Sequence, residues 1–157
     1  MNHDDHEEPE EHEHRVGDYE NLAFRPGVRI PSPLSPEAEA VMAQTIGCAI
    51  SVHRTLGPGF LESIYRKAMR VELESRNLAY ECERAVRVDY RGVAIDGQRI
   101  DLVVEGLIVV ELKAVTRLDD VHRSQLISYL RTLKLRGGLL INFRVPLLKQ
   151  GLRRIVV

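Results

Sequence analysis

The chain has 157 residues, enough for one well-buried domain and little more. No apolar run approaches the roughly eighteen residues of a membrane span, and the polar start does not read as a signal peptide, so neither is expected. The net charge of −1 hides an asymmetry: residues 1–20 carry nine Asp or Glu and one Arg, whereas residues 21–157 carry 14 acidic and 21 basic residues. The folded part is therefore basic, and arginine forks suit phosphate and polyanionic partners. Only two cysteines, Cys48 and Cys82, occur, with no C-x-x-C, as expected of a reduced cytoplasmic protein.

Residues 1–34 read as a flexible acidic tail rich in histidine and then in proline, with too few apolar groups to offset the entropy of ordering. His3, His6, His12 and His14 show no repeating metal-ligand spacing. A domain is expected over residues 35–157. Ser35-Pro36 is an N-cap with proline at the first helical position, and Ala38, Val41, Met42, Ile46, Ala49, Ile50 and Val52 recur at helical spacing up to Leu56. Gly57-Pro58-Gly59 stops that helix. A second helix is predicted from about Phe60 to Arg76, with Leu61, Ile64, Ala68, Val71 and Leu73 as its apolar stripe and Glu62, Tyr65 and Met69 on an adjacent one.

Alternating residues predict a strand over Tyr80–Tyr90, a turn at Arg91-Gly92, and a second strand over Val93–Val104 with a break near Asp96-Gly97. Leu107–Leu112 is the most apolar strand, joined to its predecessor through Glu105-Gly106. A third helix is capped by Asp119 or Asp120 and runs to about Leu135, with Val121, Leu126, Leu130 and Leu133 as apolar positions. Gly137-Gly138 is expected to end it before a strand at Leu139–Phe143 and a final hairpin-like return at Leu152–Val156.

The apolar strand carries Glu111 and Lys113, which the two-residue period puts on one face. A buried carboxylate needs a partner, a proton or a metal, and neighbours two apart on one strand seldom pair well. Asp101 enters from the adjacent strand. Two converging carboxylates suit Mg²⁺, which takes oxygen ligands from one or two acids and fills the rest with water and phosphate. For both to serve one ion they must share a face. A strict two-residue turn at Glu105-Gly106 would put Asp101 opposite Val110 and separate them, so a three-residue loop or a bulge is expected.

Asp101, Glu111-x-Lys113 and the preceding Glu62 resemble the active site of the PD-(D/E)XK nuclease superfamily, although Ile100 stands where the superfamily has proline. Gly59-Phe60-Leu61-Glu62-Ser63-Ile64-Tyr65 is similar to the motif that names its GxxExxY group, and Gln125-x-x-x-Tyr129 adds to the resemblance. The resemblance implies a single restriction-endonuclease-like α/β domain, a mixed central sheet flanked by helices. It implies a Mg²⁺- or Mn²⁺-dependent phosphodiesterase acting on nucleic acid, DNA before RNA, with Asp101, Glu111 and the Leu112 carbonyl as metal ligands. Lys113 would position or activate water, Glu62 would assist, and Gln125 and Tyr129 would order phosphate or Lys113. A homodimer is compatible with this reading. The rival is a nuclease-like module that binds nucleic acid or a protein without cutting.

Overall fold

The structure, a computed structural model, describes residues 32–157; the acidic stretch, expected as a tail, lies outside the described residues up to residue 31. Residues 32–34, assigned to that tail by composition, belong to the domain, for Leu34 is buried in the core and its N–H donates to Ser32 Oγ at 3.1 Å. Ser35 caps α1 (Pro36–Leu56) by accepting the Ala38 N–H at 3.1 Å, and Gly57, at φ 67°, ends the helix in a conformation that favours glycine. Then follow α2 (Glu62–Ser75), β1 (Tyr80–Tyr90), β2 (Val93–Val104), β3 (Ile108–Lys113), α3 (Asp120–Leu133), β4 (Gly137–Asn142), a short α4 (Leu148–Gly151) and β5 (Leu152–Val156).

The five strands lie in sequence order in one sheet, antiparallel except for the parallel β3–β4 pair, whose crossover is α3. Alternation along β3 separates two cores. Ile108, Val110 and Leu112 pack with α1 and α2, whereas Val109 packs with Leu126, Tyr129 and Leu130 of α3. The fold is thus the single α/β domain with a mixed sheet and helices on both faces.

Three expectations are corrected. The buried stripe of α2 is Tyr65, Met69 and Leu73, while Leu61, Ile64 and Val71 are exposed. The sheet accepts the aromatic and the long methionine, and the helix is turned by about one stripe from its most apolar arc. Gly137-Gly138 does not end α3. The helix stops at Lys134, which takes a left-handed φ of 56°, and the glycines lie within β4. A Cβ at Gly137 would meet Ile108 Cδ1 at 2.8 Å, and one at Gly138 would meet Leu126 Cδ1 at 3.1 Å, so both are glycine because neighbouring side chains press onto the strand. β2 is also unbroken at Asp96-Gly97; a register shift against Val86–Val88 absorbs the irregularity as a bulge.

Candidate active site

The loop between β2 and β3 decides whether the acids can meet. Val104 pairs with Ile108, leaving the three residues Glu105, Gly106 and Leu107 outside the ladder, with positive φ at Glu105 (53°) and Gly106 (65°). The ladder runs on to Leu102↔Val110 and stops. Continuing that register by one step would set Asp101 opposite Glu111, which the three-residue loop allows and a two-residue turn would not. The irregularity that a shared site demands is present.

At this point the strands part. The Leu112 N–H donates to Asp101 Oδ2 at 2.9 Å, so a carboxylate replaces the ladder where it ends. Facing Asp101 across β1, Glu83 adopts φ 51°, and the alternation in β2 breaks: Ile100 and Leu102, two apart, belong to different cores. The opening is reached from both helical layers. From α2, Arg66 donates through Nη1 to Asp101 Oδ1 at 2.7 Å. From α3, Gln125 accepts the Lys113 ammonium on Oε1 at 3.2 Å and donates from Nε2 to the Tyr129 hydroxyl at 2.8 Å. That hydroxyl in turn donates to the Arg99 carbonyl at 3.4 Å.

Lys113 Nζ also donates to Glu111 Oε1 at 2.9 Å, so the same-strand pair forms despite the expectation that such neighbours pair poorly. The other oxygen, Glu111 Oε2, is buried without a hydrogen-bond partner among the described residues. Burial, then the charge of Asp101, push the Glu111 carboxyl up to about 7, against the pull of Lys113. Burial also pushes Glu62 above the usual carboxylate range, and Asp101 adds to the effect. For Lys113, burial pulls downward, but the Glu111 hydrogen bond and the charges of Glu111, Glu62 and Asp101 more than offset it. Lys113 is therefore held as an ammonium, which suits positioning and charge neutralisation better than proton abstraction.

These features fit a divalent cation. Two acids share one opening, one buried oxygen has no partner among the described residues, and burial with the charge of Asp101 raises the Glu111 proton affinity despite the Lys113 ammonium. Among the described residues, no group of three or more His, Cys, Asp or Glu side chains could hold a metal by itself. Asp101 and Glu111 with the Leu112 carbonyl would form an incomplete oxygen set of the kind Mg²⁺ completes with water and phosphate.

The sequence reasoning missed Arg66 and Asn142. Arg66 lies four residues after Glu62 and hence on the same helix stripe, a spacing that was available to read. Asn142, fully buried, clamps the segment after Lys113: Oδ1 accepts the Val115 N–H at 3.0 Å and Nδ2 donates to the Val115 carbonyl at 2.8 Å. His122, on the α3 stripe with Gln125, instead caps its own helix by accepting the Asp119 N–H on Nδ1 at 3.0 Å. Tyr65 is wholly buried, and its hydroxyl donates to the Gly57 carbonyl at 2.6 Å and accepts the Phe60 N–H at 3.2 Å. It ties the glycine turn to the helix that carries Glu62.

A family model described as the PD-(D/E)XK nuclease superfamily matches residues 39–155, which contain every residue of the opening. No curated protein and no solved structure matches the chain.

Proposed function

Because the chain belongs to the PD-(D/E)XK nuclease superfamily, we propose that it hydrolyses phosphodiester bonds of nucleic acid, DNA before RNA, with Mg²⁺ or Mn²⁺. The observation that carries this reading is the meeting of Asp101, Glu111 and Lys113 where β2 and β3 part, with a buried Glu111 oxygen that has no partner among the described residues. A divalent cation held by Asp101, Glu111 and the Leu112 carbonyl would supply Lewis acidity toward the phosphate and the attacking water. Lys113 neutralises charge that develops on the phosphate in the transition state, and Gln125, braced by Tyr129, fixes the direction of its ammonium. Glu62, at the first turn of α2 and electrostatically coupled to Asp101 and Lys113, assists by holding a water at the site. Arg66 holds the Asp101 carboxylate in place. The motif Gly59-x-x-Glu62-x-x-Tyr65 supports membership of the GxxExxY group, and free Cys48 and Cys82 support a cytoplasmic setting. A homodimer is compatible with this reading.

One observation favours the rival, a silent binding module. Both oxygens of Asp101 are engaged, Oδ1 by Arg66 and Oδ2 by the Leu112 N–H. Cleavage of plasmid, single-stranded DNA and RNA in Mg²⁺, Mn²⁺ or EDTA separates the two. The phosphodiesterase reading expects metal-dependent cutting that falls on the order of 10³-fold in Asp101→Ala and Lys113→Ala. Binding without metal-dependent cutting by the native protein supports the rival, and cutting that survives Asp101→Ala eliminates the mechanism.

A further inference from the structure

A hollow of about 460 Å³ lies directly beside Glu62, walled by Gly59, Phe60, Leu61, Ala114 and Arg144. It adjoins the opening on two sides, since Glu62 is one wall and Ala114 follows Lys113 in the chain. Its apolar wall is exposed: Phe60 is 47 % accessible and Leu61 75 %. An isolated exposed leucine needs no explanation, but a braced aromatic beside a row of carboxylates does.

Phe60 is held from two directions. Its backbone N–H donates to the Tyr65 hydroxyl at 3.2 Å, and its ring meets the Tyr65 ring edge to face, with centroids 6.3 Å apart and planes at 84°. Tyr65 itself is stacked on Phe143 at 4.4 Å with planes 5° apart, and it has no exposure. Gly59, at φ 124°, supplies the backbone conformation that carries the chain from the turn to Phe60. The result is a half-exposed aromatic ring fixed in orientation before any ligand arrives. Preorganised aromatic surface of this sort binds flat π-systems with little loss of side-chain entropy. Arg144, exposed and lining the same hollow, brings a positive charge suited to a phosphate.

We propose that this hollow receives an unpaired nucleobase of the strand whose phosphate lies at Asp101 and Glu111, stacked on Phe60, with Arg144 contacting the neighbouring phosphate. The proposal rests on the phosphodiesterase reading for the position of that phosphate. A base paired within a duplex has no free face for Phe60, so the substrate class is single-stranded nucleic acid, or a frayed or flapped end. The low aromatic content of the chain makes Phe60 more telling, because few other side chains are available to stack.

The test uses the full chain in EDTA, where no metal-dependent cutting occurs, with a single-stranded oligonucleotide carrying 2-aminopurine at successive positions. Stacking on Phe60 quenches the fluorescence. The native protein is expected to quench, and Phe60→Ala to lose the quench and bind the single strand five- to about 150-fold more weakly, the range that one base–aromatic stack carries. Phe60→Leu, which keeps apolar bulk against Tyr65, is expected to lose the quench as well. Affinity for a blunt duplex should change less than about twofold in both. Absence of quenching by the native protein, or native-like quenching and affinity in Phe60→Ala, overturns the proposal. Cleavage is scored separately on the same strands in Mn²⁺. Native cutting with unchanged kcat/KM in Phe60→Ala removes the base subsite and leaves the phosphodiesterase standing, whereas Phe60-dependent quenching without native cutting keeps the subsite and removes the phosphodiesterase.

Discussion

Residues 93–99 of β2 are exposed throughout and residues 100–104 are buried throughout, although they form one continuous strand. β1 is buried only at Val86: its inner residues 80–85 alternate between half-buried and exposed, and residues 87–90 are all exposed. The outer half of the hairpin is a two-stranded ribbon closed by Arg91 and Gly92, both at positive φ, and held across by pairs such as Arg87–Asp96 at 3.1 Å. The inner half is covered by helices on both faces. Asp101 sits at the border, one residue inside it. The difference shows how a carboxylate is both fixed and reachable: buried strand sets its position, while the parting of β2 from β3 opens its surroundings. A carboxylate deeper in the sheet would be protonated or cost the fold its stability, and one on the ribbon would have no fixed geometry.

Breaking the inner half should have the largest effect. Leu102→Ala removes a fully buried side chain and is expected to cost about 2–5 kcal/mol in urea unfolding, because the sheet between two helical layers cannot collapse around the void. A cost below about 1 kcal/mol would show that this half is not packed as described. Next comes the border. Arg66→Met strips Asp101 of its ion-pair partner, and with Arg66 itself partly exposed the loss is put at about 2 kcal/mol, less than for a fully buried pair. Mn²⁺ should restore part of that loss, so the metal-induced rise in Tm should be larger in Arg66→Met than in the native protein. Equal rises would mean that Arg66 and the cation do not act on the same carboxylate.

A smaller effect comes from Glu111. Its carboxyl is pushed up to about 7 from an ordinary 4.5, so between those values the folded state binds the proton that the unfolded state has released. In EDTA its contribution to stability therefore falls as pH rises from about 4.5 to about 7, the reverse of a carboxylate held by a strong ion pair. Glu111→Gln should flatten that slope and raise Tm at pH 8 by about 3 °C relative to its effect at pH 4.5. A Tm difference independent of pH would contradict a carboxyl whose proton affinity is raised by burial and by Asp101. Smallest of all, Val88→Ala and Ile95→Ala, a cross-strand pair on the exposed ribbon, should each change stability by no more than about 0.5 kcal/mol.

What was legible in the sequence follows the same border. The three-residue β2–β3 loop was readable because Asp101 and Glu111 could serve one ion only from one face, which excludes a strict two-residue turn. The order of elements was readable because Ser35-Pro36, Gly57-Pro58-Gly59 and Arg91-Gly92 are local chemistry that acts before packing. The orientation of α2 was not, since Leu61, Ile64 and Val71 are more apolar than the stripe that is buried, and only the shape of the sheet selects Tyr65, Met69 and Leu73. Gly137 and Gly138 misled for a related reason: a glycine pair after a helix reads as a stop, while their smallness answers to Ile108 and Leu126, which are distant in sequence. Arg66 was hidden because a helix arginine is solvated far more often than it reaches a buried acid. The ion pair between Lys113 and Glu111 is accompanied by a hydrogen bond from the same ammonium to Gln125 of α3, a contact no strand-level argument contains.

The central claim is that Asp101 and Glu111 present their oxygens to one cation. Anomalous diffraction from crystals soaked in Mn²⁺ tests it without relying on turnover. The account predicts one Mn²⁺ peak at the parting of β2 and β3, about 2.0–2.3 Å from an oxygen of each of Asp101, Glu111 and the Leu112 carbonyl, and no peak there in Glu111→Gln crystals. A peak bound by only one of the two acids, or none at this opening while Mn²⁺ is ordered elsewhere, would contradict it.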